Sequence, residues 1–110
     1  MNDARVIPDP PFGWAEGAPY SQAVRVGDLV FTSGQGGFDA DGELVDGVEA
    51  QLRLALANLD ATLRSAGASL ESLVKITVYL ADRGDLETWR RVRAETLSPP
   101  FPATTAVATA

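Results

Sequence analysis

The chain has 110 residues and a formal net charge of −6, which disfavours nucleic acids as partners because their phosphates bind Lys and Arg. It contains no Cys and no His, so disulfides, thiol chemistry and an imidazole general base are excluded. The length suits one small domain, and we expect residues 1–110 to form it.

Residues 1–18 are predicted to form an extended arm. Prolines cluster there, and each one lacks an N–H donor and restricts the residue before it, which opposes a helix. Phe12 and Trp14 are expected to pin the arm to the body of the domain. The arm lacks the long apolar core of a signal peptide, and no apolar run in the chain is long enough to span a bilayer. We therefore expect a cytoplasmic protein without membrane partners.

Two strands are predicted over residues 20–26 and 29–33, where apolar and polar side chains alternate. Gly27 and Asp28 between them predict a two-residue hairpin loop, with Gly first as a type II′ turn prefers. The second strand ends in Ser33-Gly34-Gln35, which is either a turn or the floor of a pocket.

A helix is predicted over residues 47–66, because its leucines recur at helical spacing on one face. Asp46 and Glu49 are spaced as a capping box, and Gly67 is a stop signal. A strand over residues 73–80, a helix from about 85 to 97 and a strand-like Thr-Thr-Ala-Val segment follow.

These elements predict a two-layer α+β domain with a mixed sheet and two helices on one face. The other face of the sheet has no cover in this chain, so a cyclic oligomer is expected to bury it. Three arginines on the second helix, Arg90, Arg91 and Arg93, are interpreted as a solvated helix surface rather than an anion site.

The segments PYSQAVRVGDLVFTSGQ, LVKITVYLAD and FPA resemble the Rid family of reactive-intermediate deaminases, also called endoribonuclease L-PSP-like proteins. The resemblance runs from about Pro19 to Val107. It implies a chorismate-mutase-like fold and a homotrimer with ligand clefts between subunits. It also implies hydrolysis of 2-imino and 2-enamino acids to 2-keto acids and ammonia, without a metal or cofactor.

The resemblance also assigns candidate substrate-binding residues. It places Tyr20, Ser33 and Gly34 in the cleft. In deaminating members an Arg follows Phe-Pro-Ala and binds the substrate carboxylate, whereas this chain has Thr104 there. Thr105 follows, and Ala106 stands where the family has Cys.

Two further departures concern the second helix and the end of the chain. Arg90 stands in place of a family Asn, and it is a candidate substitute for the missing Arg. Family members continue into another strand that carries a Glu for the hydrolytic water. The sequence ends before that strand, and we expect a truncation rather than a site without its acid.

Several functions stay open at this level. One is an imine or enamine deaminase with weak or no activity on simple 2-imino acids. A variant acts on a substrate held by a neutral cleft that contains Thr104 and Thr105. The alternatives are a non-catalytic protein that binds a small metabolite and a trimer with a vestigial cleft. A ribonuclease is disfavoured by the negative charge and the missing His.

Overall fold

The first three strands form an antiparallel group. In the computed structural model, which describes residues 4–109, β1 (Arg5–Val6) pairs with β2 (Ala23–Val26), and β2 pairs with β3 (Leu29–Thr32). The two predicted strands are confirmed, although β2 begins at Ala23 rather than at residue 20. The sequence did not predict β1, because a two-residue strand has no detectable periodicity.

The hairpin loop between β2 and β3 has the predicted form. Val26 pairs with Leu29, so only Gly27 and Asp28 lie between the strands. Gly27 has a φ of 58°, and no non-glycine residue among residues 4–109 has a positive φ. A positive φ at the first central position alone is the pattern of a type II′ turn.

The N-terminal arm contacts the rest of the chain as well as contributing β1. It contains a 3₁₀ turn at Gly13–Ala15, and the centroid of the Trp14 ring lies 6.1 Å from that of the Phe38 ring. This contact confirms that Trp14 pins the arm. Residues 1–3 of the predicted arm lie outside the described residues.

The first helix, α1 (Val48–Ser65), buries its leucines as the spacing predicts. Its C-terminus is also as predicted, because Gly67 has a φ of +85° and closes a Schellman motif. In that motif the N–H of Ala68 donates to the carbonyl of Leu63 at 2.9 Å.

The capping box predicted for α1 is wrong. Gly47, with a φ of 91°, occupies the N-cap position, and no side chain caps the helix there. Glu49 instead accepts hydrogen bonds from Arg53 and Arg91. Arg91 lies on the other helix, so no local pattern in the sequence could reveal this partner.

The last three elements form a parallel β-α-β unit. Strands β4 (Lys75–Leu80) and β5 (Ala103–Ala108) pair in parallel, and α2 (Leu86–Thr96) connects them. A crossover of this kind is required because parallel strands cannot be joined by a tight turn.

The core lies between the helices and the strands. Buried side chains from α1, α2 and β4 pack together there, with Ile76 and Val78 against them. Both helices therefore cover the same side of the strands, which confirms the predicted α+β fold with two helices on one face. The central cluster consists of Leu52, Leu56, Leu80, Trp89 and Val92.

The opposite side of the strands is uncovered, and it combines apolar with polar side chains. We call this surface the open face. Its large apolar side chains alternate with those that face the helices and are between 37% and 71% exposed, and they are Val26, Leu29 and Phe31 in the antiparallel sheet and Tyr79 and Val107 in the parallel sheet. Lys75, Thr77 and Thr105 lie on the same side of the parallel sheet, where the Lys75 ammonium donates to both threonine hydroxyls. No helix among residues 4–109 has the length and apolar character needed to cross a membrane.

Thr62 of α1 is fully buried, and its hydroxyl oxygen has no hydrogen-bond partner within residues 4–109. A buried hydroxyl without a partner costs about 1–3 kcal/mol. Thr96 of α2 provides a natural contrast, because its Oγ1 donates to the carbonyl of Val92 at 2.6 Å.

We expect Thr62→Val to raise the free energy of unfolding by about 1 kcal/mol, because valine keeps the volume and removes the unpaired hydroxyl. Urea denaturation at a fixed protein concentration measures the change. Thr96→Val is the matched control, and it should be neutral or destabilising. Equal destabilisation by both substitutions would contradict the prediction.

An ionic network joins the two helices at the surface. The carboxylate of Glu49 accepts from Arg91 at 2.7 Å and from Arg53 at 3.0 Å, and Arg53 also pairs with Glu95. Hydrogen bonds from Arg91 and then Arg53 lower the pKa of Glu49 from its ordinary 4.5 to about 2. The ionised carboxylate is therefore favoured in the folded state.

This network should make folding sensitive to acid. Because the pKa of Glu49 is lower in the folded than in the unfolded chain, its contribution is complete above pH 4.5 and is lost as the pH falls towards 2. Glu49→Gln should flatten the fall in melting temperature over that range. Glu87→Gln is the control, since Glu87 pairs with Arg90 within α2. An unchanged pH profile in Glu49→Gln would refute the assignment.

Candidate functional site

A pocket of about 200 Å³ lies between the N-terminal arm and the loop that follows β3. It is formed by aromatic rings, amide side chains and glycines. Its lining residues are Trp14, Tyr20, Gln22, Gly34, Gln35, Gly36, Phe38, Gly42 and Asn58.

The loop after β3 is held in place by α1. The side-chain amide of Asn58 donates to the carbonyls of Gly36 and Phe38 at 2.9 and 2.8 Å. Gly37 packs so closely on the helix that a Cβ there would lie 2.6 Å from the Cα of Gln51. Only glycine permits this approach, so the rigid helix fixes the position of the pocket wall.

Aromatic rings form the outer wall. Phe12 stacks on Trp14 with ring centroids 5.2 Å apart, and Trp14 meets Phe38 at an interplanar angle of 54°. The chain turns beneath Trp14 at Gly42, which has a φ of +80°. A Cβ at Gly42 would lie 3.3 Å from the Trp14 ring, so the turn and the ring position depend on each other.

Two glutamines form the polar part of the pocket. Gln22 is only 5% exposed, and its Oε1 accepts a hydrogen bond from Nε2 of Gln35 at 2.8 Å. Gln35 Nε2 also reaches the carbonyl of Ser33 at 3.2 Å. The two amides therefore hold each other in fixed orientations at the end of the β2–β3 hairpin.

Three predicted site residues lie together at this end of the hairpin. Tyr20 and Gly34 line the pocket, and Tyr20 is 55% exposed. The Ser33 hydroxyl donates to the carbonyl of Ser21 at 2.6 Å, so it ties the two strands together. The Ser33-Gly34-Gln35 segment thus contributes both to the end of the hairpin and to a pocket wall.

The other predicted site residues lie elsewhere in the chain. Thr104, Thr105 and Ala106 belong to β5, and Thr105 Oγ1 accepts from the Lys75 ammonium at 2.9 Å. Arg90 lies on the exposed surface of α2 and pairs with Glu87 at 2.7 Å. None of these four residues lines the pocket, and their roles in ligand binding stay predictions.

The sequence did not predict Gln22, Phe38 or Asn58 as pocket residues, whereas Gln35 belongs to the Ser33-Gly34-Gln35 segment that was a candidate pocket floor. For Phe38, the one sequence signal was the aromatic residue Trp14 in the proline-rich arm. It predicts a contact with the body of the domain, but it does not identify Phe38 as the residue contacted. No charged side chain among residues 4–109 lines the pocket. Among residues 4–109, no three His, Cys, Asp or Glu side chains are grouped to hold a metal ion.

The chain is similar to known proteins in sequence and in structure. The family model described as endoribonuclease L-PSP matches residues 14–110. The protein mmf2, mitochondrial, of Schizosaccharomyces pombe is 46% identical over 93 residues, which cover 84% of this chain and 73% of that protein.

Two other similar proteins bear names that refer to deamination or to the family. The 2-iminobutanoate/2-iminopropanoate deaminase of Bos taurus is 42% identical over 87 residues, which cover 77% of this chain and 64% of that protein. The crystal structure of RidA from an Antarctic Psychrobacter species superposes with a TM-score of 0.82 at 37% identity. That match covers 99% of this chain and 86% of that one.

Proposed function

Because the chain belongs to the endoribonuclease L-PSP family, which includes the Rid proteins, we propose that it is a deaminase-type hydrolase of a small imine or enamine metabolite. We further propose that it acts in clefts between the subunits of a homotrimer. The observation that carries the proposal is the convergence of Tyr20 and Gly34 on one pocket, next to Ser33. The name of the bovine relative supports the reaction class.

The reaction requires few protein groups. Water adds to the imine carbon, the carbon–nitrogen bond breaks, both water protons move to nitrogen, and a carbonyl compound and ammonia leave. The phenol of Tyr20 can donate a hydrogen bond to the substrate, and the main chain at Gly34 permits close approach. The main contribution expected of such a site is to hold the substrate in an orientation that lets water attack the imine carbon.

We propose that the substrate is not anchored through a carboxylate. Threonine at position 104 supplies a hydroxyl and no charge where the family resemblance implies an Arg. In the part of the chain that the structure describes, the pocket near Tyr20 has no charged lining residue either. Arg90 is the remaining candidate anchor, although within one chain its guanidinium pairs with Glu87.

The open face supports the homotrimer. Five apolar side chains stand exposed on strands whose other side is packed against helices. Exposed apolar side chains that are grouped on one side of a sheet, as Val26, Leu29 and Phe31 are, are typical of an interaction site. The cytoplasmic location stays a prediction, because one relative is named as a mitochondrial protein.

The trimer can be tested by a substitution on the open face. We expect the wild-type protein to have three times the mass of one chain in multi-angle light scattering. Phe31→Glu should dissociate it, because a buried carboxylate without a partner is strongly unfavourable. Leu44→Glu is the control, since Leu44 is 56% exposed, similar to the 60% of Phe31, but lies in a loop. A monomeric wild type would refute the proposal.

The reaction can be tested by following ammonia release. Imines are generated in situ, neutral ones from amines by a flavin-dependent amine oxidase and 2-imino acids by an amino-acid oxidase. We expect acceleration with neutral imines and little with 2-imino acids. Thr104→Arg should raise kcat/KM for 2-imino acids by about a hundredfold, the order expected of a desolvated bidentate ion pair.

Thr104→Met is the matched control, because it lengthens the side chain without adding charge. Rapid turnover of 2-imino acids by the wild type would contradict the proposed anchoring. If no imine is hydrolysed faster by the wild type or by Thr104→Arg, the deaminase proposal fails, and a non-catalytic binding protein becomes the better interpretation.

A further inference from the structure

We propose that a second pocket, at the C-terminal ends of the two helices, binds a small aliphatic α-amino acid as a zwitterion. We call it the helix-end pocket. Its volume is about 190 Å³, and it lies between α1, the 3₁₀ turn Leu70–Ser72 and the end of α2. It shares no lining residue with the pocket near Tyr20. The lining residues are Asp60, Arg64, Ser69, Leu70, Glu71, Thr96, Leu97 and Ser98.

The helix-end pocket contains two opposite charges that are not paired with each other. The hydrogen bond to Asp60 raises the pKa of Arg64, and the charge of Glu71 adds to this effect, so Glu71 lies nearby. Among residues 4–109, however, Arg64 forms an ion pair with Asp60 and none with Glu71. A ligand that carries a carboxylate and an ammonium group can therefore bridge the two charges across the pocket.

Arg64 and Ser98 supply donors for the carboxylate of the ligand. Nε of Arg64 donates to Asp60 at 2.7 Å, whereas its two terminal nitrogens have no partner among residues 4–109. Asp60 is itself held by the N–H of Leu70 at 3.0 Å, so it fixes the guanidinium from one side. The Ser98 hydroxyl also has no partner within the described chain. A guanidinium whose terminal N–H groups are free is suited to a carboxylate.

Glu71 and the end of α2 favour the ammonium group of the ligand. The Glu71 carboxylate forms no ion pair within residues 4–109. Helix α2 ends at Thr96, and the residues four positions after Glu95 and Thr96 are Pro99 and Pro100, which have no N–H to donate to their carbonyls. The C-terminus of a helix carries partial negative charge, so a cation is stabilised next to it.

The size of the helix-end pocket selects a small side chain. A cavity of about 150 Å³ holds benzene, so one of about 190 Å³ admits a slightly larger ligand. Leu70 and Leu97 provide its apolar surface, and Leu97 is only 8% exposed. An aliphatic side chain is stabilised against such a surface because both lose contact with water. L-valine has the required size and both charges.

Binding can be located and measured from amide chemical shifts in isotope-labelled protein. We expect L-valine to bind with a Kd of about 1 mM, ordinary for so small a ligand. It should shift the amides of Glu71, Leu97 and Ser98 and leave those of Gly34 and Gly36 in the other pocket unchanged. Isovalerate lacks the ammonium group and isobutylamine lacks the carboxylate, so each should bind about five- to tenfold more weakly.

Three variants assign each charge of the ligand to its partner. Arg64→Gln should weaken L-valine and isovalerate by about five- to tenfold and leave isobutylamine unchanged. Glu71→Gln should weaken L-valine and isobutylamine and leave isovalerate unchanged. Arg91→Gln is the control and should change none of the three, because Arg91 also pairs with a carboxylate, that of Glu49, but does not line the helix-end pocket. Circular dichroism establishes that each variant is folded.

Equal affinity for L-valine and both analogues, or no shift of the helix-end amides with L-valine, would overturn this proposal without any variant. So would an unchanged Kd for L-valine in a folded Arg64→Gln protein. The proposal rests neither on the trimer nor on the deaminase reaction. None of these outcomes bears on ammonia release, so the binding site and the proposed activity can fail separately.

Discussion

The packing of α2 against α1 and β4 is the contact on which the rest of this structure depends. Trp89 and Val92 of α2 are almost fully buried among Leu52, Leu56 and Leu80. Because this single cluster draws both helices to one side of the strands, the other side receives no cover from the chain. The same packing that stabilises the subunit thus creates the open face.

The pocket depends on α1 through a second, polar contact. Asn58 projects from the helix and binds two carbonyls of the loop after β3, while Gly37 lets that loop lie directly on the helix. Loops usually owe their mobility to backbone groups that bond only to water. Here those groups bond to a helix that the core holds rigid, so the pocket wall is as fixed as the helix itself.

The sequence predicted those parts of the molecule whose signals are local. The leucine spacing of α1, the Gly27-Asp28 loop and the Gly67 stop each act within a few residues, and each was confirmed. The capping box failed although its spacing was correct, because Gly47 and not Asp46 is the N-cap, so Glu49 lies one position too early to complete the box. Glu49 instead binds Arg91, 42 residues further along the chain. The pocket was only half predicted for the same reason. Tyr20 and Gly34 lie at the end of one hairpin, whereas Trp14 and Phe38 meet only after the arm has folded back.

Charged side chains are distributed unevenly between the helix surfaces and the pocket. Glutamates and arginines pair across the outer surfaces of the helices, where water screens them and each pair contributes little. The pocket, by contrast, is lined by three amide side chains, a phenol, aromatic rings and glycines, and by no charged side chain among the described residues. An acidic chain repels small carboxylates at long range, and a neutral pocket offers them no counter-charge at short range. Both effects favour an uncharged ligand in this pocket.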